Sequence, residues 1–150
     1  MRFFSRTPIR TFVLIPLIAG LWEFMLNGRV LELYPLYTPL MLWGYLQYRL
    51  CGRYRRQHGG GGPGLETPPE GLVTSGPYAY TRNPMYLGHI IFLIGLTLTL
   101  KSWLAALITV AVAIWFHRRV LADEQKLRES LGQPYVDYMD SVKRWIPGLF

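Results

Sequence analysis

Apolar and polar segments alternate along this chain, and four apolar stretches of about 15–19 residues stand out. A membrane-spanning α-helix needs about 20 mostly apolar residues, so each stretch is near the short end of a spanning length. The pattern predicts an all-α protein, a polytopic transmembrane helix bundle of about four spans that forms a single membrane domain over residues 1–150. The predicted spans are residues 12–26, 33–50, 85–100 and 103–121.

The polar segments predict how the spans are connected. Residues 52–76 hold a run of four glycines and two adjacent prolines, a composition typical of a flexible loop. No strand precedes the glycines and no Lys-Ser/Thr follows them, so a linker is favoured over a phosphate-binding loop. Gly132 and Pro134 predict a helix end and a new helix start. Residues 122–150 are therefore expected to form a short cytoplasmic C-terminal helical segment.

The formal net charge is +7, and its distribution suggests a topology. With four spans, fourteen of the sixteen Lys and Arg residues fall on one side, and only Arg29 and Lys101 fall on the other. By the positive-inside rule both termini are cytoplasmic, in an inner or cytoplasmic membrane. Because the basic residues flank spans, the bilayer and its head groups explain them without a nucleic acid partner. The fourteen are Arg2, Arg6, Arg10, Arg49, Arg53, Arg55, Arg56, Arg82, Arg118, Arg119, Lys126, Arg128, Lys143 and Arg144.

The sequence gives little support for a cleaved signal peptide, an internal disulfide or a metal site. A cleaved signal peptide needs small residues at its cleavage site, and residues 22–24 are Trp-Glu-Phe, so an uncleaved first span is expected. The single cysteine, Cys51, has no partner for an internal disulfide. His58, His89 and His117 share no ligand spacing, so no metal site is expected.

The densest polar motif is GPYAYTRNPMYLGH, residues 76–89. Asn83 is a good N-cap and Pro84 a good first helical residue, so the third span is expected to begin here with its N–H groups at the cytoplasmic face. Such a helix end favours a carboxylate or phosphate, and Arg82 lies beside it. Arg82, Tyr86 and His89 are spaced as one helical stripe. A plain interfacial anchor of Tyr and Arg is the alternative.

An acidic pair, Asp123-Glu124, follows the fourth span. Polar groups this close to a membrane are usually satisfied or functional. Asp123 lies four residues after Arg119 and Glu124 four before Arg128, so ordinary helix-surface ion pairs also account for both acids.

Taken together and in order, GPYAYTRNPMYLG, the acidic pair, LGQPYVDY and KRWIP resemble the isoprenylcysteine carboxyl methyltransferase and phospholipid methyltransferase superfamily. The resemblance covers about residues 72–147 and implies an integral-membrane enzyme that uses S-adenosylmethionine without a Rossmann domain. Two positions depart from the family pattern. Asn83 replaces the usual histidine and cannot titrate, and Asp123 replaces the first of two glutamates, which leaves Glu124 the safer assignment.

The resemblance implies where the cofactor and acceptor bind. The cofactor's carboxylate would suit the third span's start with Arg82, its amino group Glu124, and its sulfonium the faces of tyrosines. Arg144 would orient an acidic or phosphate group of the acceptor. The candidate catalytic residues are Glu124 and Arg144. The candidate cofactor-binding residues are Tyr80, Arg82, Asn83, Pro84, Tyr86, Leu87, Gly88, Asp123, Glu124, Tyr135 and Tyr138.

The expected partners are the lipid bilayer and a lipid-like or amphiphilic acceptor: a prenylcysteine-type carboxylate, a phospholipid amine or a small thiol. An oligomer is possible. Two other functions stay open. One is an NADPH-dependent membrane sterol or steroid reductase, although His89 follows Gly88 where those enzymes have an acid. The other is a non-catalytic, lipid-binding membrane scaffold.

Overall fold

The computed structural model describes residues 7–60, 69 and 71–146, and within them all regular structure is helical. Five helices follow one another in chain order: α1 (Thr7–Leu26), α2 (Thr38–Gln57), α3 (Pro84–Leu100), α4 (Trp103–Leu131) and α5 (Gln133–Ser141). Short 3₁₀ turns lie at Pro35–Tyr37 and Gly76–Ala79. The predicted all-α class is confirmed.

Two of these helices, α1 and α4, are long and apolar enough to cross a membrane, and α3 is a shorter apolar helix. In α1 a π-helical turn, Arg10–Leu14, precedes the α-helical run Ile15–Leu26. Pro16 explains this turn, because it cannot donate to the carbonyl of residue 12 and its ring crowds that carbonyl. Apolar side chains of α1 such as Leu17, Leu21 and Met25 are exposed, as expected for a helix that faces lipid.

The second predicted span, residues 33–50, has the wrong boundaries. The chain is not helical at residues 33–34 and becomes α-helical only at Thr38, since Pro39 suits the first turn of a helix better than its interior. The helix then continues through Gln57, so residues 52–57 of the predicted flexible loop are helical. Arg53, Arg55 and Arg56 are polar but favour helix, which carries α2 past its apolar part. The rest of the predicted linker, up to Glu66, lies mostly outside the described residues.

The chain divides into two compact units, and the first comprises residues 1–46 and 88–114. Its core consists of side chains from α1, α3 and α4, packed with Phe12, Ile15, Met41 and Val112. The Phe12 ring stacks on His89 with ring centroids 4.6 Å apart and meets Phe92 edge-on at 4.8 Å. The core residues are Ala19, Phe92, Leu93, Leu96, Leu100 and Ala105.

Close contact between α2 and α3 in this first unit depends on glycine. A Cβ on Gly44 would overlap the Phe92 backbone and lie 2.6 Å from the Gly88 carbonyl oxygen. A Cβ on Gly95 would lie 2.8 Å from the Met41 backbone nitrogen. Both helices therefore approach at a distance that excludes side chains at these positions.

The second unit comprises residues 47–87 and 115–150, and it holds every candidate site residue except Gly88. In it α4 ends at Leu131, and Gly132 adopts a φ of 65° that favours glycine. The Gly132 N–H donates to the Arg128 carbonyl at 3.0 Å, and α5 begins at the next residue. This turn returns the chain so that residues 139–145 can contact the start of α3 and the end of α4.

Candidate functional site

The segment that precedes α3 is held by the chain that follows α5. Gly76 begins a 3₁₀ turn with a φ of 58°, and a Cβ there would lie 2.7 Å from the Tyr54 ring. Beyond the turn, the Arg82 backbone N–H donates to the Lys143 carbonyl at 3.0 Å. The Thr81 hydroxyl donates to the Arg144 carbonyl at 3.0 Å. Backbone and side-chain bonds thus fix this segment against the C-terminal one.

Arg82 is a buried cation held by three side-chain hydrogen bonds. Its Nε donates to Glu124 Oε1 at 3.0 Å, and its Nη1 donates to the carbonyls of Met139 at 2.6 Å and Val142 at 2.8 Å. The side chain is only 8 % exposed. Three of the five guanidinium N–H groups are used by these bonds, so the plane of the group is fixed. Arg82 lies two residues before α3, so the predicted stripe that joined it to Tyr86 and His89 on one helix is wrong.

Glu124 lies between two arginines. Its second oxygen, Oε2, accepts from Arg144 Nε at 3.0 Å and forms an ion pair with Arg144 Nη2 at 2.8 Å. The alternative that paired Glu124 with Arg128 on the helix surface is wrong, because Glu124 is 5 % exposed and faces Arg82 and Arg144. Two guanidinium groups and one carboxylate leave a net charge of +1. We call Arg82, Glu124 and Arg144 the arginine–glutamate cluster.

The other acid of the pair has a different environment. Asp123 Oδ2 accepts from the Tyr86 hydroxyl at 3.2 Å and lies 3.8 Å from Arg119 Nε. The predicted pairing of Asp123 with Arg119 along α4 is therefore confirmed. The Tyr86 ring packs on Phe116 with centroids 4.8 Å apart. These contacts join the first turn of α3 to α4 within the second unit.

Two tyrosines of α5 lie close to this cluster, and a third, Tyr78, is hydrogen-bonded to one of them. Tyr135 and Tyr138 on α5 are buried, with ring centroids 6.1 Å apart, and the Tyr138 hydroxyl donates to the Tyr78 carbonyl at 2.6 Å. Burial, and then the charge of Glu124, raise the pKa of Tyr135 to about 12. Burial also raises the pKa of Tyr138 and of Tyr78. All three hydroxyls are therefore neutral at physiological pH and present uncharged aromatic surface.

The remaining candidate residues differ in their burial and in their distance from the cluster. Asn83 directly precedes α3, and its Nδ2 donates to the Arg144 carbonyl at 3.3 Å. Pro84 is fully buried, and its carbonyl accepts from Gln47 Nε2 at 3.0 Å. Leu87 is half-buried. Tyr80 is 69 % exposed, so it is not gathered with the buried tyrosines. Gly88 belongs to the first unit and contributes to the close packing at Gly44, which is a structural role.

Sequence reasoning missed two residues of this region, Tyr78 and Thr81. Both belong to the motif GPYAYTRNP, but neither is charged, and Tyr78 lies in a turn, so no helical spacing linked it to α5. Trp145 was also missed, and its Nε1 donates to His117 Nδ1 at 3.2 Å, which attaches the C-terminal segment to α4. Among the described residues no group of three His, Cys, Asp or Glu side chains is placed to hold a metal ion.

The fold and the site together define an all-helical protein with two membrane-capable helices and a buried, positively charged polar cluster beside aromatic rings. A family model described as phospholipid methyltransferase matches residues 62–133, which include the start of α3 and Glu124.

Curated proteins resemble about half of the chain. Protein-S-isoprenylcysteine O-methyltransferase A of Arabidopsis thaliana is 34 % identical over 79 residues, which is 51 % of this chain and 40 % of the plant protein. The protein-S-isoprenylcysteine O-methyltransferases of Schizosaccharomyces pombe and Mus musculus are each 33 % identical over 78 residues, again 51 % of this chain. The matches cover 33 % of the yeast protein and 27 % of the mouse protein, so they span well under half of each relative. Residues 62–133 of the chain therefore match the phospholipid methyltransferase family, and about half of the chain is similar to protein-S-isoprenylcysteine O-methyltransferases.

Proposed function

We propose that this chain is an integral-membrane methyltransferase that transfers a methyl group from S-adenosylmethionine to a lipid-like or amphiphilic acceptor. The observation that carries the proposal is the arginine–glutamate cluster, which lies beside buried tyrosines. Two of its members, Arg82 and Glu124, belong to residues 62–133, which match the phospholipid methyltransferase family. When bound, S-adenosylmethionine supplies an electrophilic methyl group on a sulfonium. The protein then needs only to bind the methyl donor and the acceptor and to orient them in line. Such positioning alone can account for a large part of an enzyme's rate enhancement.

The residues present fit a cofactor that carries a carboxylate, an ammonium group and a positively charged sulfonium. The cluster's net charge of +1 favours a carboxylate, which Arg82 would bind while Arg144 holds Glu124 in place. Glu124 would bind the cofactor's ammonium group, because a carboxylate has about four acceptor positions and the two arginines occupy three of them. The neutral rings of Tyr135 and Tyr138 offer faces that stabilise a nearby cation.

A prenylcysteine-type carboxylate is the acceptor we favour. The relatives carry that substrate class in their names, and a carboxylate is already deprotonated near neutral pH, so it requires no general base from this chain. Arg144 would orient such an anion, since its side chain is 27 % exposed and that of Arg82 only 8 %. A phospholipid amine would need to lose a proton, and a small thiol would need to ionise.

We also propose four membrane spans with both termini on the cytoplasmic side. The support is the distribution of Lys and Arg, fourteen against two, together with the two membrane-capable helices and the apolar helix α3. The cluster would then lie at the cytoplasmic surface, where soluble S-adenosylmethionine and a membrane-anchored acceptor can both reach it.

The test is methyl transfer by the purified protein in lipid vesicles. Methyl-labelled S-adenosylmethionine is supplied with a farnesylcysteine derivative, with phosphatidylethanolamine or with a small thiol. We expect label in the base-labile methyl ester of farnesylcysteine, and strongly reduced transfer by Arg144→Gln. Glu129→Gln is the matched control, because Glu129 is exposed and its carboxylate accepts a hydrogen bond from Gln125 on the same helix. Absence of transfer to all three acceptors would contradict the proposal.

A further inference from the structure

One buried hydroxyl in the second unit has no partner among the described residues. Tyr78 is 7 % exposed, and its Oη makes no hydrogen bond to any residue that the structure describes. Buried polar groups are almost always hydrogen-bonded, because leaving one unbonded costs about as much as its desolvation. If packing were the only requirement at this position, phenylalanine would fill it without that penalty.

Tyr78 is connected to the candidate site through α5. Its carbonyl accepts from the Tyr138 hydroxyl at 2.6 Å, and the Tyr138 ring is adjacent to that of Tyr135. The charges of Glu124, Arg82 and Arg144 in turn act on the Tyr135 hydroxyl. The order from the cluster is therefore Tyr135, Tyr138 and Tyr78.

The surroundings of the Tyr78 hydroxyl suit an uncharged ligand. The groups that influence it electrostatically are Arg55 and three neutral ones, Cys51, Tyr138 and Tyr86. Burial raises its pKa, so the hydroxyl stays protonated and both donates and accepts hydrogen bonds. A flat heteroaromatic ring with nitrogen acceptors matches such a place, since it stacks on tyrosine faces and bonds to a single hydroxyl.

We propose that the Tyr78 hydroxyl binds the nucleoside half of the methyl donor, by a hydrogen bond to its heteroaromatic ring. This inference rests on the proposed function, and it divides the donor between two parts of the site. The arginine–glutamate cluster binds the charged amino-acid half, and Tyr78, with the rings of Tyr138 and Tyr86, binds the neutral half.

The test compares Tyr78→Phe with the parent in equilibrium binding of two probes, S-adenosylhomocysteine and 5′-methylthioadenosine. The second probe keeps the nucleoside and lacks the amino-acid half. We expect both to bind about 3- to 10-fold more weakly, by similar factors, which corresponds to one neutral hydrogen bond. The thermal midpoint without ligand should be unchanged or higher, because the substitution removes a buried hydroxyl that lacks a protein partner. Tyr54→Phe is the matched control, since the Tyr54 hydroxyl is exposed and bonds to Ser75 at 2.8 Å.

The outcomes separate this inference from the proposed function. Parental affinity for both probes in Tyr78→Phe, or weakening of S-adenosylhomocysteine alone, would overturn the assignment of Tyr78. A lowered thermal midpoint would also overturn it, because it would mean that the hydroxyl has a structural partner such as a buried water. If the parent protein binds neither probe, the proposed function itself fails.

Discussion

Replacing Glu124 with glutamine isolates the charge at the centre of the site. Glutamine has nearly the same shape, keeps one oxygen acceptor and replaces the other with an NH₂ group that would face a guanidinium. In the parent, Glu124 Oε1 bonds to Arg82 and Oε2 to Arg144, all at 2.8–3.0 Å. The substitution therefore leaves two neighbouring cations without their shared anion.

The expected size of the effect follows from burial. The side chains of Arg82 and Glu124 are 8 % and 6 % exposed, whereas that of Arg144 is 27 % exposed. Removing one partner of a buried ion pair destabilises a protein by about 3–5 kcal/mol. Water can solvate part of Arg144, so we expect Glu124→Gln to lower the free energy of unfolding by about 2–4 kcal/mol.

Denaturant unfolding of the purified protein in lipid–detergent micelles measures this difference. Glu129→Gln, an exposed substitution on the same helix, should change the free energy by less than about 0.5 kcal/mol. A double-mutant cycle with Arg144→Gln should give a coupling energy of about 1 kcal/mol or more. If Glu124→Gln is as stable as Glu129→Gln, Arg82, Glu124 and Arg144 do not form a buried ion-paired cluster, and the site built on it is wrong.

Three further substitutions test other parts of the structure. In thermal unfolding, Gly44→Ala should be about 1–3 kcal/mol less stable than the parent, because the new Cβ would overlap the backbone of α3. The control Gly20→Ala should be neutral or stabilising, because no atom lies within 4 Å of its Cβ. Asn83→Asp should lower both the stability and the affinity for S-adenosylmethionine, because it loses the N–H that bonds to the Arg144 carbonyl and adds a negative charge. Asn83→His keeps a hydrogen-bond donor and should retain both properties. Equal affinities of these two variants would contradict that role. The pKa of Tyr135 is raised from 10.0 to about 12, so its contribution to stability is fully present below pH 10 and is lost as the pH rises through about 12. Across that range the free energy of unfolding should therefore fall less steeply with pH in Tyr135→Phe than in the parent.

The helical class and most helix boundaries could be predicted from the sequence, because apolar length and local breakers determine them. Pro84 begins α3 and Gly132 follows the last residue of α4, and each does so through its own backbone geometry. The end of α2 could not be found in this way. Its last residues are polar, so apolar content stops at residue 50 while helix propensity continues to Gln57.

The candidate site was predicted in its composition but not in its pairing. The motif and the acidic pair identified Arg82 and Glu124, yet the local spacing equally allowed Glu124 to pair with Arg128. Only the return of the chain at Gly132 brings Arg144 to Glu124, across 20 residues of sequence. Contacts of that range depend on tertiary packing, and a period of 3.6 residues carries no information about them.

Tyr78 illustrates the same point for a neutral residue. A tyrosine in a turn near a membrane surface has an ordinary explanation as an interfacial anchor. Its burial, and the absence of a partner for its hydroxyl among the described residues, became visible only with α5 packed against the turn. The residues that sequence patterns find most readily are therefore the charged ones.

The central claim, that this chain uses S-adenosylmethionine, is tested most directly by equilibrium titration of the purified protein. S-adenosylmethionine and NADPH are titrated separately into the parent and into Arg144→Gln. We expect saturable binding of S-adenosylmethionine to the parent, competition by S-adenosylhomocysteine, weaker binding to Arg144→Gln, and no saturable binding of NADPH. Saturable binding of NADPH alone would indicate a reductase, binding of neither would indicate a non-catalytic membrane protein, and either result would contradict the claim that S-adenosylmethionine is the cofactor.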